Sequence, residues 1–194
     1  MLSSLTTPTR PLAWLFFLFL AGLAHIFTVI TLASVGPAPS VEKLARTLTT
    51  NRMALLDPVT PKSQPVPFLM PGSLYAVCPF DLETTAVRLT AAIPDDGWML
   101  SIHTMDGSSF YFAPGSAEAD LTITIDLVPP GDALNALELA PTADDLRIAK
   151  VEAPQRKGVA VVRAPVAAKA YAPDVIRQLQ KSNCRPVGRN LASR

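Results

Sequence analysis

The chain has 194 residues, with 17 basic and 16 acidic side chains, a net charge of +1, two histidines and two cysteines. With so few histidines, a multi-imidazole metal centre within one chain is excluded. Basic residues are neither interleaved with aromatics nor carried on a recognition helix, which argues against nucleic acid as a partner.

After a short tail, residues 1–11, the chain enters a run from Pro11 to Gly36 that lacks Asp, Glu, Lys and Arg. Its centre, Leu12 to Ala33, rises about 33 Å as a helix, enough for a hydrocarbon layer of roughly 30 Å. The segment is apolar all round except for His25, Thr28 and Thr31, whereas a soluble helix keeps a polar face. The reading is a membrane anchor over residues 12–35. A cleaved signal peptide is the competing reading, opposed by a weakly basic start and an apolar run longer than 7–15 residues.

Charge flanking the span gives conflicting orientations. Lys43, Arg46 and Arg52 outnumber Arg10, which taken alone favours the main domain inside. A short tail before one uncleaved span, and an even pair of cysteines, favour the oxidising side instead. The expected address is a bacterial inner membrane with the main domain periplasmic.

Residues 37–73 read as a short helix and a proline-rich connector. Ser40 can cap a helix with Glu42 in its first turn and Val41, Leu44 and Leu48 as an apolar stripe. Segment 57–73 carries five prolines, so an extended path is expected.

Residues 74–194 read as a β-rich domain. Ala86 to Ile93 points Val87, Leu89, Ala91 and Ile93 one way and Arg88 and Thr90 the other. Trp98, Leu100 and Ile102 oppose Met99, Ser101 and His103, and Leu121 to Leu127 alternates without a break. Ser108 to Ala113, Val159 to Ala164 and, more weakly, Leu146 to Val151 are further strands. Turn residues separate them at Pro94 to Gly97, Asp106-Gly107, Pro129 to Asp132 and Arg156 to Gly158. Pro173-Asp174 opens a C-terminal helix through Lys181, with Val175, Ile176 and Leu179 on its buried side. The fold class is therefore mainly β (α+β): an antiparallel β-sandwich-like domain with an N-terminal transmembrane helix and a C-terminal helix.

Charge is segregated along the chain. Residues 53–145 hold thirteen acidic side chains against Lys62 and Arg88, and residues 146–194 hold eleven basic against Glu152 and Asp174. Either the two regions lie side by side and neutralise each other, or the basic tail Lys181 to Arg194 meets acidic lipid or an acidic partner.

Catalytic signatures are absent. Ser101 and His103 share a strand face with Asp106 just beyond, but no G-x-S-x-G turn accompanies them. Side chains two apart on a strand point the same way without facing each other, so Ser101 and His103 read as solvated strand-face residues. A thiolate dyad of Cys78 with His103 is a still weaker alternative. Asp95-Asp96 and Asp144-Asp145 read as turn residues. No metal site is expected, and no cofactor, since the nine glycines form no phosphate loop. Cys78 and Cys184 either form a disulfide or are two unrelated thiols. Tyr75, Arg88 and Tyr111 are the remaining polar positions of interest, with Asp81 beside them; Arg88 pairs with Asp81 or Asp126, or binds an anion.

The run Leu74 to Leu82 (LYAVCPFDL), Val87-Arg88, Pro94 to Ile102 around Trp98, Gly107 to Phe110-Tyr111, Gly158 to Arg163 (GVAVVR) and the late Cys184 together resemble the DUF1254 family. The chain departs from that pattern at Ser109, where Asn is expected before the Phe-Tyr pair. The resemblance implies a sheet-rich domain of no established activity. Long members join it to a DUF1214 half, and short membrane members look like the first half alone. A DUF1214-type membrane protein and the lipid bilayer are thus the expected partners. The leading expectation is a non-enzymatic, single-pass membrane protein. The alternatives are a tethered enzyme or ligand-binding module whose site forms only with its partner, and a lipid-surface accessory using its basic tail.

Overall fold

The computed structural model describes residues 9–35, 40–60, 62–67, 69–118, 121–131 and 148–187. It divides at residue 38 into two units, 1–38 and 39–194. The first is a single helix, α1, Thr9–Val35. Its span Arg10–Leu32 has a mean hydropathy of 2.3 and none of it is buried, so it is long and apolar enough to cross a membrane. The two threonines are accommodated internally: Thr28 Oγ1 donates to the Ala24 carbonyl at 2.7 Å and Thr31 Oγ1 to that of Phe27 at 2.8 Å.

The second unit begins with α2, Ser40–Thr47, and continues through β1, Ala54–Leu55. Seven further strands follow: β2 Ser73–Asp81, β3 Ala86–Ala92, β4 Met99–Thr104, β5 Ser109–Pro114, β6 Thr122–Val128, β7 Ala149–Glu152 and β8 Lys157–Pro165. Helix α3, Ala172–Leu179, and β9, Asn183–Val187, complete the unit. The strands make a five-stranded sheet in the order β1-β2-β8-β4-β5 and a four-stranded sheet in the order β7-β6-β3-β9. The pairings are antiparallel except β6 with β7, which run parallel. That pair departs from the all-antiparallel expectation, and the crossover it demands contains residues 132–147, outside the described residues; Asp144-Asp145 falls there.

Alternation dictates which side chains meet. Leu74, Ala76, Cys78 and Phe80 of β2, Leu100 and Ile102 of β4, and Ala160 and Val162 of β8 face Val87 and Leu89 of β3 and Ile125 and Leu127 of β6. Leu179 of α3 is buried in the same cluster, with Val175 and Ile176 packed against it. Apolar surface removed from water along this seam, at about 25 cal/mol per Å2, is the main source of stability. A disulfide joins Cys78 to Cys184, Cα atoms 6.3 Å apart and 106 residues apart in sequence, and ties the two sheets through the core.

Two strands escape alternation. β2 is buried on eight of nine positions because both its faces are covered. β9 is built of Asn183-Cys184-Arg185-Pro186-Val187, and there the expected basic tail is instead ordered sheet, with Cys184 opposite Leu89. Residues 188–194 of that tail lie outside the described residues. Gly158 of β8 permits a close crossing. A Cβ there would lie 2.3 Å from the His103 carbonyl oxygen and 2.5 Å from the Phe80 ring.

The charge segregation is resolved partly by strand pairing. Lys157 at the start of β8 meets Asp81 at 3.3 Å and Glu83 at 2.9 Å. On the far face of the four-stranded sheet, Arg88 makes a two-pronged contact with Asp126, Nε to Oδ1 at 2.7 Å and Nη2 to Oδ2 at 2.8 Å.

Candidate functional site

The far face of the five-stranded sheet is unusual because it is apolar and roofed. Register places Tyr75, Arg163 and Met99 side by side across β2, β8 and β4. The next row is Val77, Val161 and Ser101, and the third holds Pro79, Val159 and His103. Such a surface must be covered. α2 covers it with Val41 and Leu44, and the connector with Leu56, Val66 and Leu69. The connector is held at one point by the Tyr75 hydroxyl, which accepts the Met70 N–H at 3.0 Å. The cover does not fill the space. A cavity of about 330 Å3, open to the surface, remains between α2, the connector and the sheet, walled by these residues other than Pro79 and by Gly107 of the β4–β5 turn. Its volume is at the lower end of the range for small-molecule sites, roughly 300–1,000 Å3.

Three of the polar residues singled out by sequence meet here: Tyr75, Ser101 and His103. Ser101 and His103 do touch, correcting the expectation that they would not face each other, and both are half-buried. His103 Nε2 lies 3.0 Å from Ser101 Oγ, and Nδ1 lies 3.3 Å from the Gly107 carbonyl oxygen. A carbonyl only accepts, so Nδ1 carries the proton and, in the neutral ring, Nε2 accepts from the serine hydroxyl. The β4–β5 register shifts beside Ile102 and His103, with the extra residue, Phe110, on β5; β4 itself stays regular against β8, and the imidazole is long enough to reach its neighbour.

This pair lacks the rest of a hydrolytic centre. Asp106 turns away from the imidazole, bonding the Thr104 hydroxyl and the Ser108 N–H instead. The backbone of β4 is paired with β5 on one side and β8 on the other, so it presents no donors for an oxyanion. The Cys78–His103 dyad is also ruled out. Cys78 is bonded to Cys184 in the core, on the opposite face from His103.

The other sequence candidates lie elsewhere. Arg88 is on the second sheet with Asp126, Asp81 is at the end of β2 with Lys157, and Tyr111 packs against the core from β5. Among the described residues there is no group of three or more His, Cys, Asp or Glu that could hold a metal.

Sequence reasoning missed Arg163. It lines the cavity, its Nη2 donates to the Gly97 carbonyl at 3.2 Å, and its Nε is buried without an acceptor. The signal was present: β8 reads Val159, Val161, Arg163 on one face, an arginine ending an aliphatic row.

The family model for proteins of unknown function, DUF1254, matches residues 50–186, well over half of the chain. The chain is a member of the DUF1254 family. Its matched region takes in the described strands, up to the last residue but one of β9, and the connector, but not α1 or α2. Among solved structures, this DUF1254 chain is similar to the VPA0106 protein from Vibrio parahaemolyticus, with a TM-score of 0.55 at 10% identity, over 76% of this chain and 35% of that one. An uncharacterized protein from Burkholderia cenocepacia aligns with a TM-score of 0.42 at 11% identity, over 76% of this chain and 39% of the other. The chain thus spans little more than a third of each of these two proteins. No curated protein matches it.

Proposed function

We propose that this DUF1254 protein is a membrane-anchored binding module. Its sandwich stands on the oxidising, periplasmic side of a bacterial inner membrane and holds a small apolar ligand beneath α2. The observation that carries the binding reading is the apolar pocket of about 330 Å3, open to the surface, that lies between α2, the connector and the sheet. Apolar walls left to water are costly, and a ligand that covers them gains that free energy. The anchor reading draws on the length and hydropathy of α1. The compartment draws on the Cys78–Cys184 disulfide, since such bonds persist where thiols are not kept reduced.

The test uses the full chain in phosphatidylcholine nanodiscs with N-phenyl-1-naphthylamine, an uncharged fluorescent probe. Saturable fluorescence above that of empty nanodiscs is expected. It should fall sharply in Val161→Trp, whose indole projects into the cavity and narrows it, while thermal stability is kept. Fluorescence no greater than in empty discs, or unchanged in the variant, overturns the reading. For the anchor, the intact chain should stay in the pellet after an alkaline carbonate wash; release overturns it.

A second reading, association with a DUF1214-type chain, draws on β5. That strand ends its sheet and carries Phe112, 56% exposed, and such an edge can pair with a strand from another chain. Co-purification with a DUF1214-type protein, weakened by Phe112→Asp, is the expected result.

A further inference from the structure

We propose that the cavity selects an amphiphilic anion, a carboxylate head on an apolar tail, with Arg163 as its counter-charge. This rests on the binding reading above and adds the chemistry of the ligand.

Arg163 is placed by strand register among apolar neighbours. Val161 precedes it on the same face of β8, Tyr75 flanks it in β2 and Met99 flanks it in β4. A guanidinium in such a setting ordinarily faces a carboxylate. Among the described residues Arg163 has none, and its one acceptor is the neutral Gly97 carbonyl, 3.2 Å from Nη2. Its Nε is buried and unmatched. The contrast with Arg88 is instructive, because that arginine spends both Nε and Nη2 on the two oxygens of Asp126. The same fork on Arg163 has its Nε still open. Leaving a charged donor buried without an acceptor is costly, and an anionic oxygen would relieve that cost with a short, charge-assisted bond.

Beyond the arginine, Leu44, Val66, Val77, Val159 and Val161 supply most of the wall, and Ser101 and His103, which also line it, are bonded to each other. The aliphatic walls suit a hydrocarbon tail and offer nothing to a second charge. Arg163 supplies one positive charge, so the head carries one negative charge. A sugar would need donors and acceptors along the whole wall, whereas Tyr75 is bonded to Met70 and Ser101 and His103 to each other. A dianionic phosphate would be left half neutralised by a single arginine.

The experiment titrates octanoate into the full chain in phosphatidylcholine nanodiscs by calorimetry, with empty nanodiscs subtracted and octan-1-ol as the uncharged comparison. Octanoate is expected to bind about tenfold more tightly than octan-1-ol. In Arg163→Met, which keeps length and packing, that preference should vanish while octan-1-ol binding is retained. Equal binding of the two ligands by the wild type overturns the anion proposal but leaves the cavity reading standing. So does a tenfold preference that survives in Arg163→Met. Binding of neither ligand overturns both. Should Arg163→Met fail to fold, the wild-type comparison decides alone.

Discussion

The two sheets of the sandwich share one core, yet their far faces are built on opposite principles. The four-stranded sheet turns outward a polar set, Arg88 with Asp126 and Thr90 with Thr124, which satisfy one another. The five-stranded sheet turns outward Val77, Val159 and Val161, which cannot be left to water and so recruit α2 and the connector as a cover. Polar pairs close on themselves. An apolar face closes only as well as its cover fits, and here the fit leaves a cavity. The functional candidate therefore arises from an imperfect third layer laid over a complete sandwich.

Breaking the link between the sheets should have the largest effect. Replacing both Cys78 and Cys184 by Ala removes a cross-link closing a loop of over a hundred residues. A loss of about 4 kcal/mol in urea unfolding is expected from the chain-entropy argument. Next comes a paired test of the two faces of the five-stranded sheet. Leu100→Ala, in the shared core, should cost about 3 kcal/mol, whereas Leu44→Ala, on the inner face of α2, should cost about 1 kcal/mol. The cavity already denies Leu44 part of its packing. Equal losses would mean the cover is packed as tightly as the core.

Arg88→Ala probes the polar far face. It strands Asp126, whose side chain is 9% exposed, and about 2 kcal/mol should be lost. Loss of affinity for an anion with stability unchanged would show that Arg88, and not Arg163, is the anion site. The smallest effect concerns the turn at the cavity rim. The Thr104 hydroxyl and then the Ser108 N–H hold the Asp106 carboxyl below the usual carboxylate range. A lowered folded pKa contributes stability above the unfolded value, and that contribution is lost as pH falls through the folded one. Asp106→Asn should therefore narrow the difference in melting temperature between neutral and strongly acidic solution, with little change at acid pH.

Much of this architecture was legible in the residues, and for a physical reason. β3, β4 and β6 each turn one face to the core, so period-two alternation marks them. α3 likewise shows its stripe of Val175, Ile176 and Leu179. β2 was hidden because both its faces are covered, which erases alternation. β9 was hidden because Asn183, Arg185 and Pro186 read as tail chemistry, and only pairing with β3 makes them a strand. The membrane-length helix was plain from composition alone. The site was half visible. Ser101 and His103 stand out in the sequence, but their contact and their half-covered setting do not, because the cover comes from residues 41–69, far away in sequence. Arg163 went unnoticed for the same reason: an arginine after two valines gains meaning only when a cover turns that strand face into an interior.

Gly158 has a consequence for how this family can vary. Phe80 on one side and the His103 carbonyl on the other occupy the room that any side chain at 158 would need. Position 158 stands on the core side of β8, in line with Ala160 and Val162, so a larger residue there would press into the seam between the sheets, while Val159 and Val161 front the cavity. Relatives should therefore keep the smallest amino acid at this point whatever they bind, and differences in ligand should be written on the other face of the strand and in α2.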